Sequence, residues 1–122
     1  MERFRVLIVD DYEPWRQFLR SAFRKRTELE IVGESSDGLQ AIQIAQELKP
    51  DLILLDLGLP TIDGIETARR IRKVLPRSKI LFLSQESSPE IVQEALSTGA
   101  RGYVVKQSLN ELLKAVTAAL AA

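Results

Sequence analysis

Five side chains that can bind a cation or transfer a group stand at the ends of short apolar runs in this sequence. Asp10 and Asp11 follow the first run, Asp56 follows the third, Ser84 closes the fourth and Lys106 follows the fifth. The carboxyl ends of neighbouring parallel strands meet at one edge of a sheet. If the runs are such strands, three carboxylates, a hydroxyl and an ammonium share one pocket.

The three carboxylates predict a cation site. Carboxylates that lie close together repel one another, so at least one of them resists ionisation unless a cation is bound. Oxygen ligands without histidine or cysteine suit Mg²⁺, with Mn²⁺ as the alternative. An aspartate after a strand is also common as a turn or helix cap, and Asp11 could have only that role at the first helix. The full set at four strand ends favours the cation site.

Composition excludes several other chemistries. The chain has neither cysteine nor histidine, so disulfides, thiolate chemistry, Ser-His-Asp catalysis and histidine-bound zinc are excluded. Lys+Arg and Asp+Glu both number 17, so the basic surface of a nucleic-acid binder is missing, and we expect no direct nucleic-acid binding by this segment. There is no signal peptide and no apolar stretch of about 18 residues. We therefore expect a cytoplasmic location and no membrane contact.

The apolar runs themselves predict the strands. Branched, continuously apolar runs are typical of strands that are buried on both faces of a parallel sheet. The predicted strands cover residues 6–9, 30–33, 52–55, 80–83 and 103–105.

Helical patterns of period 3.6 separate the runs. The first helix carries an apolar stripe from Trp15 to Phe23, and the second runs from about 38 to 49 before Pro50. The third ends before Pro76, and the fourth is expected from Ser88-Pro89 to Gly99. The fifth begins at Ser108, which with Glu111 forms a predicted capping box.

Strict alternation of strands and helices predicts an α/β fold. Helices would cover both faces of a doubly wound (βα)5 parallel sheet, with the flavodoxin-like strand order 2-1-3-4-5. The 122 residues fit one compact domain, so residues 1–122 are expected to form a single unit.

In this order and spacing, the motifs resemble the receiver domain of bacterial response regulators, over essentially the whole chain. The resemblance depends on Asp10-Asp11, Asp56 within the segment 54–60, Asp63-Gly64, Ser84, Gly99-Ala100, and Gly102-Tyr103 through Lys106. The segment 31–34 with Asp37-Gly38 is similar to the subfamily that carries a C-terminal helix-turn-helix of the LuxR/NarL type.

The resemblance implies a role for each residue around Asp56. Asp56 would accept a phosphoryl group from the histidine of a sensor histidine kinase. Asp11, Asp56 and the backbone carbonyl of Gly58 would bind Mg²⁺, and Asp10 would act through a bound water. Lys106 would pair with a phosphoryl oxygen; otherwise it is an ordinary surface lysine.

The resemblance also implies a switch. Ser84 would hydrogen-bond to the phosphoryl group, and Tyr103 would turn inward as Ser84 moves; otherwise Tyr103 is a half-buried strand aromatic. The response would appear on the fourth helix, fifth strand and fifth helix. Through a C-terminal DNA-binding domain, this response would control transcription. Whether phosphorylation causes dimerisation is left open.

Some positions depart from the common pattern of the family. Gln85 stands where a small residue is frequent, and Gln107 stands where many receivers have proline, so the geometry of the Lys106–Gln107 peptide stays open. Arg16, Arg20 and Arg24 form a basic row on the first helix. This row is either a solvated face or a docking surface for the kinase.

Two other functions compete with the switch. The first is an interaction module that keeps the fold without using phosphate. The second is a phosphohydrolase similar to haloacid dehalogenases, which needs a second acid two residues after the nucleophile. Gly58 occupies that position, so we expect no enzyme beyond phosphoryl uptake and slow autodephosphorylation.

Overall fold

A computed structural model describes residues 3–106 and 108–121. Five parallel strands form one sheet in the order β2-β1-β3-β4-β5, with five helices between them. This confirms the predicted fold and strand order. The elements are β1 (Phe4–Val9), α1 (Glu13–Arg24), β2 (Leu29–Ser35), α2 (Gly38–Leu48), β3 (Leu52–Leu55), α3 (Gly64–Val74), β4 (Lys79–Ser84), α4 (Pro89–Leu96), β5 (Gly102–Val105) and α5 (Leu109–Leu120).

The sheet separates two apolar cores, because successive strand side chains point to opposite faces. In β1, Val6 and Ile8 pack on one face with α1 and α5, whereas Leu7 and Val9 pack on the other with α2 and α3. All four residues of β3 are buried. The central strands are therefore rigid supports for whatever follows their carboxyl ends.

Side-chain caps begin three of the helices. Asp37 accepts a hydrogen bond from the backbone N–H of Gln40 in α2, and Asp63 does the same for Glu66 in α3. Ser108 accepts from the N–H of Glu111, which forms one half of the predicted capping box of α5. Such caps satisfy backbone donors that have no partner within the helix.

Two expectations about helix ends are corrected. The residue before α1 is Tyr12 and no side chain caps this helix, so the alternative that Asp11 serves as its cap is wrong. The helix α4 ends at Leu96 and not at Gly99, because the hydroxyls of Ser97 and Thr98 bond to carbonyls of the last turn. Within the described residues, no helix has both the length and the apolar character needed to cross a membrane.

Candidate metal centre

Three aspartates meet at the carboxyl edge of the sheet. Asp10 and Asp11 follow β1, Asp56 follows β3, and one carboxylate oxygen from each lies within 4.8 Å of the others. Asp10 is buried, Asp56 is half-buried and Asp11 is exposed. The site is therefore open to solvent on the side of Asp11 and closed beneath Asp10.

Asp10 is fixed by contacts from three directions. Its N–H donates to the carbonyl of Ser35 at the end of β2 (3.0 Å). Its carboxylate accepts from the N–H of Tyr12 (2.9 Å), and its carbonyl accepts from Nη1 of Arg16 (2.5 Å). The turn between β1 and α1 thus has little freedom around the buried carboxylate.

Lys106 supplies the positive charge of the site. Its Nζ lies 2.5 Å from Oδ2 of Asp10 and 3.5 Å from Oδ1 of Asp56. The ammonium also lies 5.1 Å from the ring centroid of Trp15, a favourable distance for a cation over an aromatic face. The Lys106 side chain is only 10% exposed, so the alternative of an ordinary surface lysine does not hold.

The charge of Asp56 is only partly compensated in the absence of metal. Burial raises the pKa of its carboxyl above the usual value, the ammonium of Lys106 opposes that rise, and the charge of Asp10 adds to it. One lysine therefore serves two carboxylates, with Asp11 close by. A hard divalent cation fits this set, because all three side chains offer carboxylate oxygens and the ammonium of Lys106 pairs with only two of them.

The two glycines near Asp56 have opposite surroundings. A Cβ on Gly64 would lie 2.1 Å from the Asp56 carbonyl oxygen, and the Gly64 N–H donates to the Leu57 carbonyl (2.7 Å). The first turn of α3 therefore presses against the backbone that carries Asp56. A Cβ on Gly58 would meet only Asp56 Oδ2, at 4.0 Å, so the space beside the carboxylate stays open.

Ser84 and Tyr103 form a separate group next to the aspartates. Ser84 is buried, and its Oγ accepts from the N–H of Glu86 (3.1 Å). The Tyr103 hydroxyl donates to the carbonyl of Glu86 (2.7 Å), and its ring packs against Phe82 at a centroid distance of 6.0 Å. Burial raises the pKa of the Tyr103 phenol. Tyr103 therefore holds the loop that follows Ser84.

The structure thus brings Asp10, Asp11, Asp56 and Lys106 into one cluster. Ser84 lies at the same edge, since its carbonyl accepts from the N–H of Lys106 (2.9 Å). Gln85 is exposed beside this edge. The Lys106–Gln107 peptide, whose geometry the sequence left open, lies outside the described residues.

The basic row on α1 is not a solvated face throughout. Arg16 and Arg20 both pair with Glu13 and Glu34, which lies on β2. The Arg16 side chain is only 15% exposed. The sequence prediction did not include Arg16 or Glu34 in the site. Their opposite charges are visible in the sequence, but their contact depends on the register of β2 against β1, which shifts between Val6 and Leu7.

Comparison with known proteins gives a consistent picture. The family model of the response regulator receiver domain matches residues 6–117. The response regulator protein VraR of Staphylococcus aureus is 41% identical over 102 residues, which cover 84% of this chain and 49% of VraR. The chain spans about half the length of the curated relatives it matches.

Solved structures agree with this match. A two-component response regulator of the LuxR family from Aurantimonas sp. SI85-9A1 superposes with a TM-score of 0.93 at 33% identity, covering 98% of this chain and 86% of that chain. A chain of the CheX-CheY-BeF3-Mg²⁺ complex from Borrelia burgdorferi superposes with a TM-score of 0.90 at 25% identity, covering 95% and 88%.

Proposed function

This chain belongs to the response regulator receiver domain family, and on that premise we propose that it is a signalling switch controlled by phosphorylation of Asp56. One observation carries the proposal. The half-buried Asp56 shares a 4.8 Å cluster with Asp10 and Asp11, and the Lys106 ammonium lies 3.5 Å from its carboxylate. No other residue of the cluster combines an open side with a nearby cation.

Asp11, Asp56 and the Gly58 carbonyl would hold Mg²⁺ or Mn²⁺, with Asp10 acting through a water molecule. The bound ion would supply charge that neutralises phosphoryl oxygens during transfer. Within the protein itself, Asp10 stays close to Lys106 and keeps that ammonium at the site. Support comes from the cluster of three carboxylates and from the raised pKa of Asp56, whose ionised form is disfavoured by burial and by the charge of Asp10.

Phosphoryl transfer would begin with an in-line attack by a carboxylate oxygen of Asp56. The phosphorus of a phosphohistidine on the sensor kinase is the target; the new O–P bond forms as the P–N bond breaks, and the imidazole nitrogen keeps the electron pair. Lys106 would stabilise the phosphoryl oxygens as a positive charge that already lies beside Asp56. These 122 residues contain no histidine, so the donor imidazole would belong to another protein or domain.

The response would start at Ser84 and Tyr103. A phosphoryl group on Asp56 offers the Ser84 O–H a new acceptor, and a rotation of the Ser84 side chain toward it would give up the bond that Oγ now accepts from the Glu86 N–H. Tyr103 is connected to the same loop through the Glu86 carbonyl. Movement here would alter the surface of α4, β5 and α5.

Receiver domains of response regulators are signalling proteins and not metabolic enzymes. Gly58 places no acid two residues after Asp56, so the phosphorylated form would hydrolyse only slowly. We propose that residues 1–122 form one such domain within a longer regulator. A sensor histidine kinase would phosphorylate it, and a C-terminal DNA-binding domain, with dimerisation on phosphorylation, would give control of transcription.

The test is phosphorylation by a small donor. Incubation with acetyl phosphate and Mg²⁺ should add the mass of one phosphoryl group, and Asp56→Ala should abolish the gain. A folded wild type that gains no mass would favour the phosphate-independent interaction module. A gain that persists in Asp56→Ala would mean that another residue is the acceptor.

A further inference from the structure

Arg16 contacts the turn after β1 through the backbone carbonyl of Asp10, and the proposed phosphorylation of Asp56 gives this contact no role. Its Nη1 donates to the carbonyl oxygen of Asp10 (2.5 Å), and its Nε donates to Oε1 of Glu34 on β2 (3.0 Å). Its Nη2 pairs with Glu13 on the first turn of α1. One guanidinium therefore joins the end of β1, the end of β2 and the start of α1.

The carbonyl of Asp10 belongs to the peptide that joins Asp10 to Asp11. A peptide unit is planar, so fixing its carbonyl direction also fixes the direction in which the chain continues to Asp11. The Asp11 side chain is exposed, so it is the carboxylate of the cluster that depends most on its backbone for position. Arg16 holds the carbonyl of that peptide.

The geometry of Arg16 suits this task. Arginine presents several donors in a rigid plane, so it can hold three acceptors in a fixed relation to one another. Glu34 keeps the plane in place, and its side chain is mostly shielded, with 24% exposed. Charge-assisted hydrogen bonds of this kind are stronger than neutral ones.

Arg20 provides a natural comparison. It pairs with Glu34 (2.5 Å) and with Glu13 (2.9 Å), as Arg16 does, but none of its hydrogen bonds goes to Asp10. The two arginines share the same acidic partners and differ in the contact to the Asp10–Asp11 peptide.

We propose that Arg16 is a positioning residue of the metal centre, which orients Asp11 for the cation through the Asp10–Asp11 peptide. This inference depends on the proposed function, because it requires that the three aspartates bind a divalent ion. It extends that function to a residue outside the acidic cluster. The ion pair between Arg16 of α1 and Glu34 of β2 would then also support the metal centre, in addition to connecting the two elements.

The experiment compares Arg16→Met with Arg20→Met in Mn²⁺ titrations, with free Mn²⁺ measured from its electron paramagnetic resonance signal. Arg16→Met should weaken binding about tenfold, the lower end of the range for residues that orient metal ligands. Arg20→Met should stay within about twofold of wild type, because the hydrogen bonds that it loses go to Glu34 and Glu13 and not to the Asp10–Asp11 peptide. Hydrogen exchange at the Tyr12 amide, which follows Asp11 and donates to Oδ1 of Asp10, should become faster only in Arg16→Met when it is measured without metal.

Equal weakening in both variants would overturn the inference, because the shared acidic partners would then explain the loss. Unchanged Mn²⁺ affinity in Arg16→Met would overturn it as well. If Arg16→Met does not fold, as judged by far-UV circular dichroism, Arg16→Lys takes its place. A smaller weakening of Mn²⁺ binding is then expected, and unchanged binding would contradict the proposal. A wild type that binds no Mn²⁺ would instead remove the proposed metal centre itself.

Discussion

The turn after β1 and the loop after β4 lie at the same edge of the sheet but are held in opposite ways. We name residues 10–12 the fixed turn and residues 85–88 the exposed loop. In the fixed turn, Asp10 is buried and its polar groups contact β2, α1 and Lys106. In the exposed loop, residues 85–87 are exposed, and within the described residues its hydrogen bonds are local apart from the one donated by the Tyr103 hydroxyl.

This difference separates two tasks. Groups that hold charge need fixed positions, which buried and cross-linked backbone provides. Groups that respond need a segment that rearranges at low cost, and exposed backbone with few long-range contacts has that property. The two regions lie on either side of Asp56, because β3 lies between β1 and β4 in the sheet. A change of charge on the Asp56 carboxylate is therefore adjacent to both.

The largest effect is expected from removing the charge that compensates the fixed turn. In Lys106→Met, Asp10 keeps its hydrogen bond from Tyr12 but loses its ion-pair partner in a buried position. We expect a loss of about 3 kcal/mol in the free energy of unfolding, typical of a buried pair that loses one member. Urea unfolding without metal measures it.

The control for this prediction is the double variant Asp10→Asn/Lys106→Met. It removes the buried charge together with its partner, so it should recover most of the lost stability. Mg²⁺ should also stabilise Lys106→Met more than it stabilises wild type, because the ion replaces the missing positive charge. A loss below about 1 kcal/mol in the single variant, the range of exposed pairs, would mean that the turn is not fixed by this pair.

The second prediction tests whether the backbone of Asp56 is held as tightly as the fixed turn. Gly64→Ala places a methyl group 2.1 Å from the Asp56 carbonyl oxygen and 2.8 Å from Cα of Leu57. Neither atom belongs to a flexible side chain, so α3 must move away from β3. We expect a loss of about 2 to 3 kcal/mol, the upper part of the range for overpacking, measured by thermal unfolding.

Gly58→Ala is the matched control, because the same methyl group would meet only Asp56 Oδ2 at 4.0 Å. Its stability should stay within about 0.5 kcal/mol of wild type, as for substitutions that disturb no buried contact. Equal losses in both variants would show that the close approach at Gly64 is not specific to the support of Asp56.

The third prediction distinguishes Asp10, which lies 2.5 Å from the Lys106 ammonium, from Asp56, which lies 3.5 Å from it and is only partly compensated. A raised pKa means that the fold favours the neutral carboxyl of Asp56. The stabilising contribution of that neutral form is fully present below the unfolded pKa of about 3.9, and it is lost as pH rises through the higher folded pKa. Charged Asp56 therefore destabilises the metal-free fold near neutral pH.

Asp56→Asn keeps the shape of the side chain and removes the charge. Near neutral pH and without metal, it should be more stable than wild type by about 1 kcal/mol, the ordinary scale of a point substitution. The difference should shrink as the pH falls, because wild-type Asp56 then becomes neutral as well. Chemical unfolding at a series of pH values tests this, and a difference that grows toward acid would contradict the sign of the shift.

The fixed turn and the exposed loop also differ in how far the sequence predicts them. The apolar runs at 6–9, 52–55 and 80–83 identify the central strands, because strands that are buried on both faces consist almost entirely of apolar residues. The order of these strands places Asp10, Asp56 and the other residues that follow the strands at one edge of the sheet. This can be predicted without knowing any side-chain contact. Convergence follows from topology and is therefore readable from the sequence.

Contacts that depend on register or loop shape are not readable in this way. Glu34 reaches Arg16 because it pairs with Ile8 in the sheet, after a register shift between Val6 and Leu7. No local sequence pattern specifies that shift. The bond from Tyr103 to the Glu86 carbonyl likewise depends on the path of an exposed loop.

The smallest effect is expected in the exposed loop. Tyr103→Phe removes the hydroxyl that donates to the Glu86 carbonyl and keeps the ring against Phe82. The acceptor is solvent-accessible, so water replaces the lost donor and the free energy of unfolding should fall by only about 0.5 kcal/mol. Amide exchange within residues 85–88 should nevertheless become faster, while Mg²⁺ affinity stays at the wild-type value because no aspartate loses a contact. If Mg²⁺ affinity falls as loop exchange rises, the fixed turn and the exposed loop are coupled even without phosphate, and the division of tasks between them does not hold.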